Sequence, residues 1–207
     1  IFQCKSCKAT YPAWVGQCGQ CHQWNTVVES VEEDSSFLSF SQKLNQQPIP
    51  ITDVEADCSL CFPTGIKELD RVLGAGFVKG SVTLLGGEPG IGKSTLSLQM
   101  SVSLSKLSLK VIIITGEESI QQIHLRAARL GALSPNILVY SETNMLNIIQ
   151  TLVDIKPDVV ILDSIQVVYH PDLSASAGSI GQVRQSANMF INWIKENQAV
   201  GVIIGHI

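Results

Sequence analysis

The stretch Gly87-Glu88-Pro89-Gly90-Ile91-Gly92-Lys93-Ser94 has the spacing G-x-x-x-x-G-K-[ST] of a phosphate-cradling loop. Glycines let backbone N–H groups turn inward onto phosphate oxygens, Lys93 reaches the β- and γ-phosphates, Ser94 offers a hydroxyl to Mg²⁺, and Thr95 completes the nucleotide-binding set. The expected ligands are ATP or ADP and Mg²⁺. The plain alternative, a glycine-rich turn, does not account for glycines, a Lys and a Ser at these fixed positions.

Hydrolysis asks for further groups. Val159-Val160-Ile161-Leu162-Asp163 is an apolar run ending in an acid, the Walker B form, and Asp163 is expected to hold Mg²⁺ through its water shell. Thr115-Gly116-Glu117-Glu118-Ser119 sets two acids at the exit of another apolar run. A hydrolase needs a group to orient or deprotonate the attacking water, and Glu117, read as lying one strand from the P-loop strand, takes that role beside Lys93. Glu118 is the secondary acid. Both acids would also suit the positive end of the helix that follows, and the sequence leaves that reading open. His206, ending the last apolar run, is expected beside the γ-phosphate as a coupling residue, the alternative being that it is only the residue where the chain was cut.

A second chemistry sits at the other end. Cys4-x-x-Cys7 and Cys18-x-x-Cys21 are two thiolate pairs able to close on one tetrahedral Zn²⁺. The stretch is too short for its own hydrophobic core, so the zinc is expected to be structural. His22 adjoins the last cysteine but finds the shell already full, and is expected to be exposed. Trp14 and Trp24 either cover the knuckle, the favoured reading, or offer a flat face to a partner or base. Cys58-x-x-Cys61 has no second pair nearby and reads as two free thiols.

The elements that must hold these groups show in the periodicity. Ser81 to Leu85, Val111 to Ile114, Ile137 to Tyr140, Val159 to Leu162 and Val200 to Gly205 read as buried strands. Between them lie helical stripes. Thr64 is expected to cap a short helix with apolar positions 66, 69, 72 and 73, ended by Gly74 and Gly76. Leu96, Met100, Leu104 and Leu107 should pack from the helix after the loop. Ser119 and Gln122 form a capping box for a helix to Leu130, closed by Gly131. Met145, Leu146, Ile149, Leu152 and Val153 mark the next helix, and Val183, Ala187, Phe190, Ile191 and Ile194 the last. Tyr169 to Gly181 reads as a mobile loop, and Gln182 and Arg184 as a solvated face or a contact for DNA or a neighbouring subunit.

At 207 residues and 45% hydrophobic, the chain can hold one full α/β core and a small appendage. A formal net charge of -4 argues against a broadly basic surface, so any nucleic-acid contact must come from a local patch. With no apolar run of membrane length and no signal-peptide pattern, the expectation is a cytoplasmic protein without a membrane partner, a setting in which six cysteines favour metal binding over disulfides. A start at Ile1 and an end at Ile207 within an apolar run suggest a fragment. The expected organisation is a zinc-binding knuckle over 1–30, an acidic and Pro-containing linker over 31–62, and a mostly parallel sheet flanked by helices over 63–207. Ile49, Ile51 and Val54 could lie along the next domain as an extended strand.

The motifs in this order, with Trp14-x-Gly16-x-Cys18-x-x-Cys21-x-x-Trp24-Asn25-Thr26 and Thr64-Gly65-Ile66-x-x-Leu69-Asp70-x-x-Leu73 between knuckle and loop, resemble the bacterial RadA (Sms) family. The resemblance implies a RecA-like P-loop ATPase with an N-terminal zinc finger. It implies a DNA-dependent ATPase and helicase in recombinational DNA repair, acting on single-stranded and branched DNA beside a recombinase of the RecA type. It also implies a homo-hexameric ring. The family's Lys-Asn-Arg-Phe-Gly motif and Lon-like domain are absent from this sequence, and Cys58 and Cys61 lie outside its pattern. The alternatives are a RecA-like regulatory switch of the same core that binds protein partners rather than DNA and, different in class, a zinc-stapled scaffold whose nucleotide serves only assembly.

Overall fold

The computed structural model describes residues 2–11, 15–29, 48–53 and 61–206, in two units that divide at residues 56 and 57. Trp14, Val54, Cys58 and the acidic run Glu32-Glu33-Asp34 lie outside the described residues.

Among its described residues the smaller unit carries three short strands. β1 (Phe2–Cys4) pairs antiparallel with both β2 (Thr10–Tyr11) and β3 (Val27–Glu29). Its buried centre is Cys4, Cys18 and Val27, flanked by Cys7, Ala9, Tyr11, Val15 and Cys21. Trp24 is 70% exposed, so the knuckle is covered by Tyr11 and Val15 and not by this indole, contrary to the favoured reading. His22 is exposed, as expected.

The larger unit opens with β4 (Cys61–Phe62), paired antiparallel with β5 (Phe77–Val78) across α1 (Lys67–Leu73). Thr64 does not cap α1. Ile66 holds the cap position without a side-chain bond, and the buried Thr64 instead accepts the Ile66 N–H at 3.2 Å while its own N–H donates to Asp70 at 2.7 Å. Gly74 ends the helix with φ 80°, as expected.

Five parallel strands follow: β6 (Val82–Gly87), β7 (Val111–Thr115), β8 (Ile137–Ser141), β9 (Val159–Asp163) and β10 (Val200–His206), in spatial order β6-β10-β9-β7-β8. The connecting helices are α2 (Lys93–Lys106), α3 (Ile120–Arg129), α4 (Met145–Ile155) and α5 (Ile180–Asn197). Strand side chains alternate between two cores. Val111, Ile113, Val159, Ile161 and Val202 pack with Leu98 and Leu104 of α2 and Ile123 and Ala127 of α3. Ile112, Ile114, Val160 and Leu162 pack with Met145, Ile148 and Leu152 of α4 and Phe190, Trp193 and Ile194 of α5.

Three expectations change. The P-loop strand β6 is not next to β7: β10 and β9 lie between them, because a βαβ crossover fixes handedness but not how many strand positions it skips. On α2, Leu98 replaces Leu107, which is 49% exposed in the turn past the helix end. On α4, Ile148 is buried while Leu146 and Val153 are exposed, a shift of the apolar stripe around the helix.

Candidate functional site

The carboxyl ends of β6, β7, β9 and β10 bring the predicted nucleotide residues together. A pocket of about 300 Å³ is lined by Gly90, Gly92, Lys93, Ser94, Thr95 and Pro89 from the loop, by Glu117 and Glu118, by Arg126, and by His206. Gly90 and Gly92 have φ of 81° and 103°, the left-handed region that the loop's inward turn needs and that a side chain resists. Lys93 is buried, and its ammonium donates to the carbonyls of Gly87 at 2.6 Å and Glu88 at 2.8 Å.

Asp163 ends β9 and accepts a hydrogen bond from Ser94, so the two expected Mg²⁺ residues meet. Burial raises the Asp163 carboxyl above the usual range; the Ser94 bond and His206 oppose this, while Glu117 and Glu118 reinforce it. A half-buried acid with two carboxylates close by, next to a hydroxyl, is a donor set that suits a hard cation. Ser94 and Asp163 would hold Mg²⁺ there.

Glu117 and Glu118 part ways. Glu118 gives both oxygens to the Arg126 guanidinium, at 2.6 and 2.7 Å. Glu117 accepts a short hydrogen bond from Ser164, and the same oxygen, Oε1, lies 3.4 Å from His206 Nε2. The start of α3 is satisfied separately, by the reciprocal Ser119 and Gln122 capping box.

Arg126 and Ser164 were not singled out in the sequence. Ser164 follows the Walker B acid directly, which is a usable signal, whereas Arg126 comes to the pocket only because α3 carries it two turns beyond Glu118. Gln182 departs from expectation. It is buried, accepts from the His170 N–H at 2.7 Å and donates to the carbonyls of His170, Leu173 and Ala175, so it ties down the segment before α5 and does not lie on a solvated face. Arg184 is exposed.

In the smaller unit the Sγ atoms of Cys4, Cys7, Cys18 and Cys21 lie within 4.8 Å of one another, with Cys4–Cys21 at 3.6 Å and Cys7–Cys18 at 3.4 Å. A tetrahedral zinc site with bonds of about 2.3 Å has sulfur–sulfur edges near 3.8 Å, so the set fits that ion. The Tyr11 hydroxyl, with help from the Cys21 N–H, holds the Cys18 thiol down to about 5. No disulfide forms among the described cysteines, and Cys61 is also free. Among the described residues no helix is long and apolar enough to cross a membrane.

Fold and site together define a class: a KaiC- and RecA-like P-loop ATPase domain accompanied by a four-cysteine zinc ribbon. The KaiC ATPase family profile matches residues 62–154, and a rubredoxin metal-binding domain profile matches residues 2–29. The chain is 42% identical over 204 residues to a DNA repair protein RadA of Chlamydia muridarum, covering 99% of this chain and 45% of that protein. It is 41% identical over 208 residues to that of Listeria monocytogenes and 42% over 211 residues to that of Bacillus subtilis, with 100% of this chain and 46% of each relative covered. The chain belongs to the RadA family. It spans about 45% of the length of these curated relatives.

Proposed function

We propose that the P-loop site hydrolyses ATP and that the hydrolysis serves DNA repair, in a protein that acts as a DNA-dependent ATPase and helicase on single-stranded and branched DNA. The observation that carries the reading is the convergence of Lys93, Ser94 and the Glu117–His206 pair on one pocket, with Asp163 beside Ser94 at the end of β9. Loop N–H groups and Lys93 hold the phosphates. The cation held by Ser94 and Asp163 would neutralise charge that develops between the β- and γ-phosphates. Glu117 takes a proton from water as the water oxygen bonds to the γ-phosphorus, and the bond from that phosphorus to the bridging oxygen breaks to leave ADP and phosphate. His206, on the same Glu117 oxygen, is placed to report the γ-phosphate state.

Residues 1–30 serve as the zinc-stapled unit and 63–207 as the ATPase core; the linker expected over 31–62 ends before Cys61, because Cys61 and Phe62 form the strand that pairs with β5 of the core. The relatives bear the name DNA repair protein, which supports a role on DNA; a cytoplasmic location, a RecA-type recombinase as partner and assembly as a homo-hexamer are what the family resemblance adds to this reading. The site is tested by two variants. Lys93→Ala should weaken ATP binding by about 10²-fold or more. Glu117→Gln should bind ATP as the wild type does and hydrolyse it about 10²-fold more slowly. Normal turnover by Glu117→Gln would refute the assignment of the base.

A further inference from the structure

We infer that Ser164 is a positioning residue for the general base: its hydroxyl fixes the Glu117 carboxylate by one oxygen and leaves the other for water. The inference rests on the hydrolytic reading above.

Glu117 alone is poorly held. It sits on the loop between β7 and α3 with its side chain 43% exposed, and a Glu so placed has several rotamers open to it. Ser164 is the opposite case. It is fully buried at the end of β9, in backbone fastened to both neighbouring strands. The Gly116 N–H donates to the Asp163 carbonyl at 3.1 Å, and the Ile165 N–H donates to the Ile204 carbonyl at 3.0 Å. A rigid hydroxyl bonded to a mobile carboxylate transfers its own order to that carboxylate.

The approach is built in from the other side too. A Cβ on Gly116 would come within 2.4 Å of Val167 Cγ2 and 2.7 Å of Thr143 Cγ2, so the exit of β7 can lie this close to the segment after β9 only with glycine there. Gly116 therefore brings Glu117 to Ser164. Both Ser164 and His206 address Oε1, which leaves Oε2 as the acceptor for the proton of the attacking water. Ser164 exchanges no proton with substrate. Its effect is carried wholly by the orientation of Glu117.

The inference is tested by Ser164→Ala and Ser164→Thr, each alone and with Glu117→Gln, in steady-state ATP turnover and in equilibrium binding of a fluorescent ADP. Ser164→Ala should lower kcat by about ten-fold or more while KM, ADP affinity and Tm stay near wild type. Ser164→Thr keeps the hydroxyl and should restore most of the rate. In the Glu117→Gln background, Ser164→Ala should change the residual rate by less than about two-fold, because the group it orients is already lost. Effects that multiply in the double variant, or a loss of ADP affinity matching the loss of rate, would overturn the positioning role. If Ser164→Thr fails to fold, the double-variant comparison alone decides. A wild-type rate that Glu117→Gln does not lower refutes the base assignment; a rate lowered by Glu117→Gln and untouched by Ser164→Ala refutes only the inference about Ser164.

Discussion

Glu118 sits beside Glu117 in sequence, yet Arg126 occupies both of its oxygens, and the pair has side chains only 26% and 27% exposed. Both bonds come from one nitrogen, Arg126 Nη2, and they tie the Glu118 carboxylate to α3, whereas the Glu117 carboxylate is held beside Ser164 and His206. Glu118→Gln should accordingly keep ATP turnover within about three-fold of wild type, against the roughly 10²-fold loss expected for Glu117→Gln. Equal losses in the two variants, measured in the same turnover assay, would mean that the two acids share the role. The loop residues, Asp163 and the pair of acids were legible because their spacing is dictated by phosphate and metal chemistry. Ser164 and Arg126 were not, because a Ser after an acid and an Arg in an amphipathic helix are common, and only the packed arrangement of β7, β9 and α3 gives them their partners.

The sheet's elements show the same division. Apolar β-branched runs announced all five parallel strands, but their order could not be read, since a crossover leaves no mark of how many strands it passes. Helix stripes were legible to within a rotation: α4 buries Met145, Ile148 and Leu152, while Leu146 and Val153, read as part of the stripe, reach solvent because they lie off the face that fills the core. Helix starts hold more than the sequence suggested. Glu142 accepts the N–H groups of Thr143 at 2.7 Å and Asn144 at 2.9 Å and the Asn147 amide at 2.8 Å, while Asn144 caps α4 by accepting the Leu146 N–H. The Asn144 N–H, then the Asn147 amide, hold the Glu142 carboxyl below the usual range. A carboxyl whose pKa is lowered by folding stabilises the fold above its ordinary pKa and loses that contribution as pH falls through the lowered value. Glu142→Gln should therefore be less stable than wild type at pH 7, with the gap closing below about pH 4. Urea unfolding at pH 7 and pH 3 checks this, and a gap that widens in acid would show the sign to be wrong.

For the whole molecule, two chemistries occupy separate units. Four cysteines gather in a unit with three short strands among its described residues, where a bound zinc would supply folding energy that so small a core lacks. One zinc per chain is expected by metal analysis, falling to none in Cys18→Ala, with ADP affinity of the P-loop site retained. The net charge of -4 leaves DNA contact to local features, so binding must be measured and not read from composition. A regulatory switch or a scaffold would share the P-loop and the zinc ribbon, and differs from a DNA motor in what accelerates hydrolysis. The deciding measurement is steady-state ATP turnover with and without single-stranded DNA at fixed salt: a rate that rises with DNA and falls back in Glu117→Gln is the expected result, whereas a rate indifferent to DNA, with no DNA retained by the protein, would contradict a DNA-dependent ATPase.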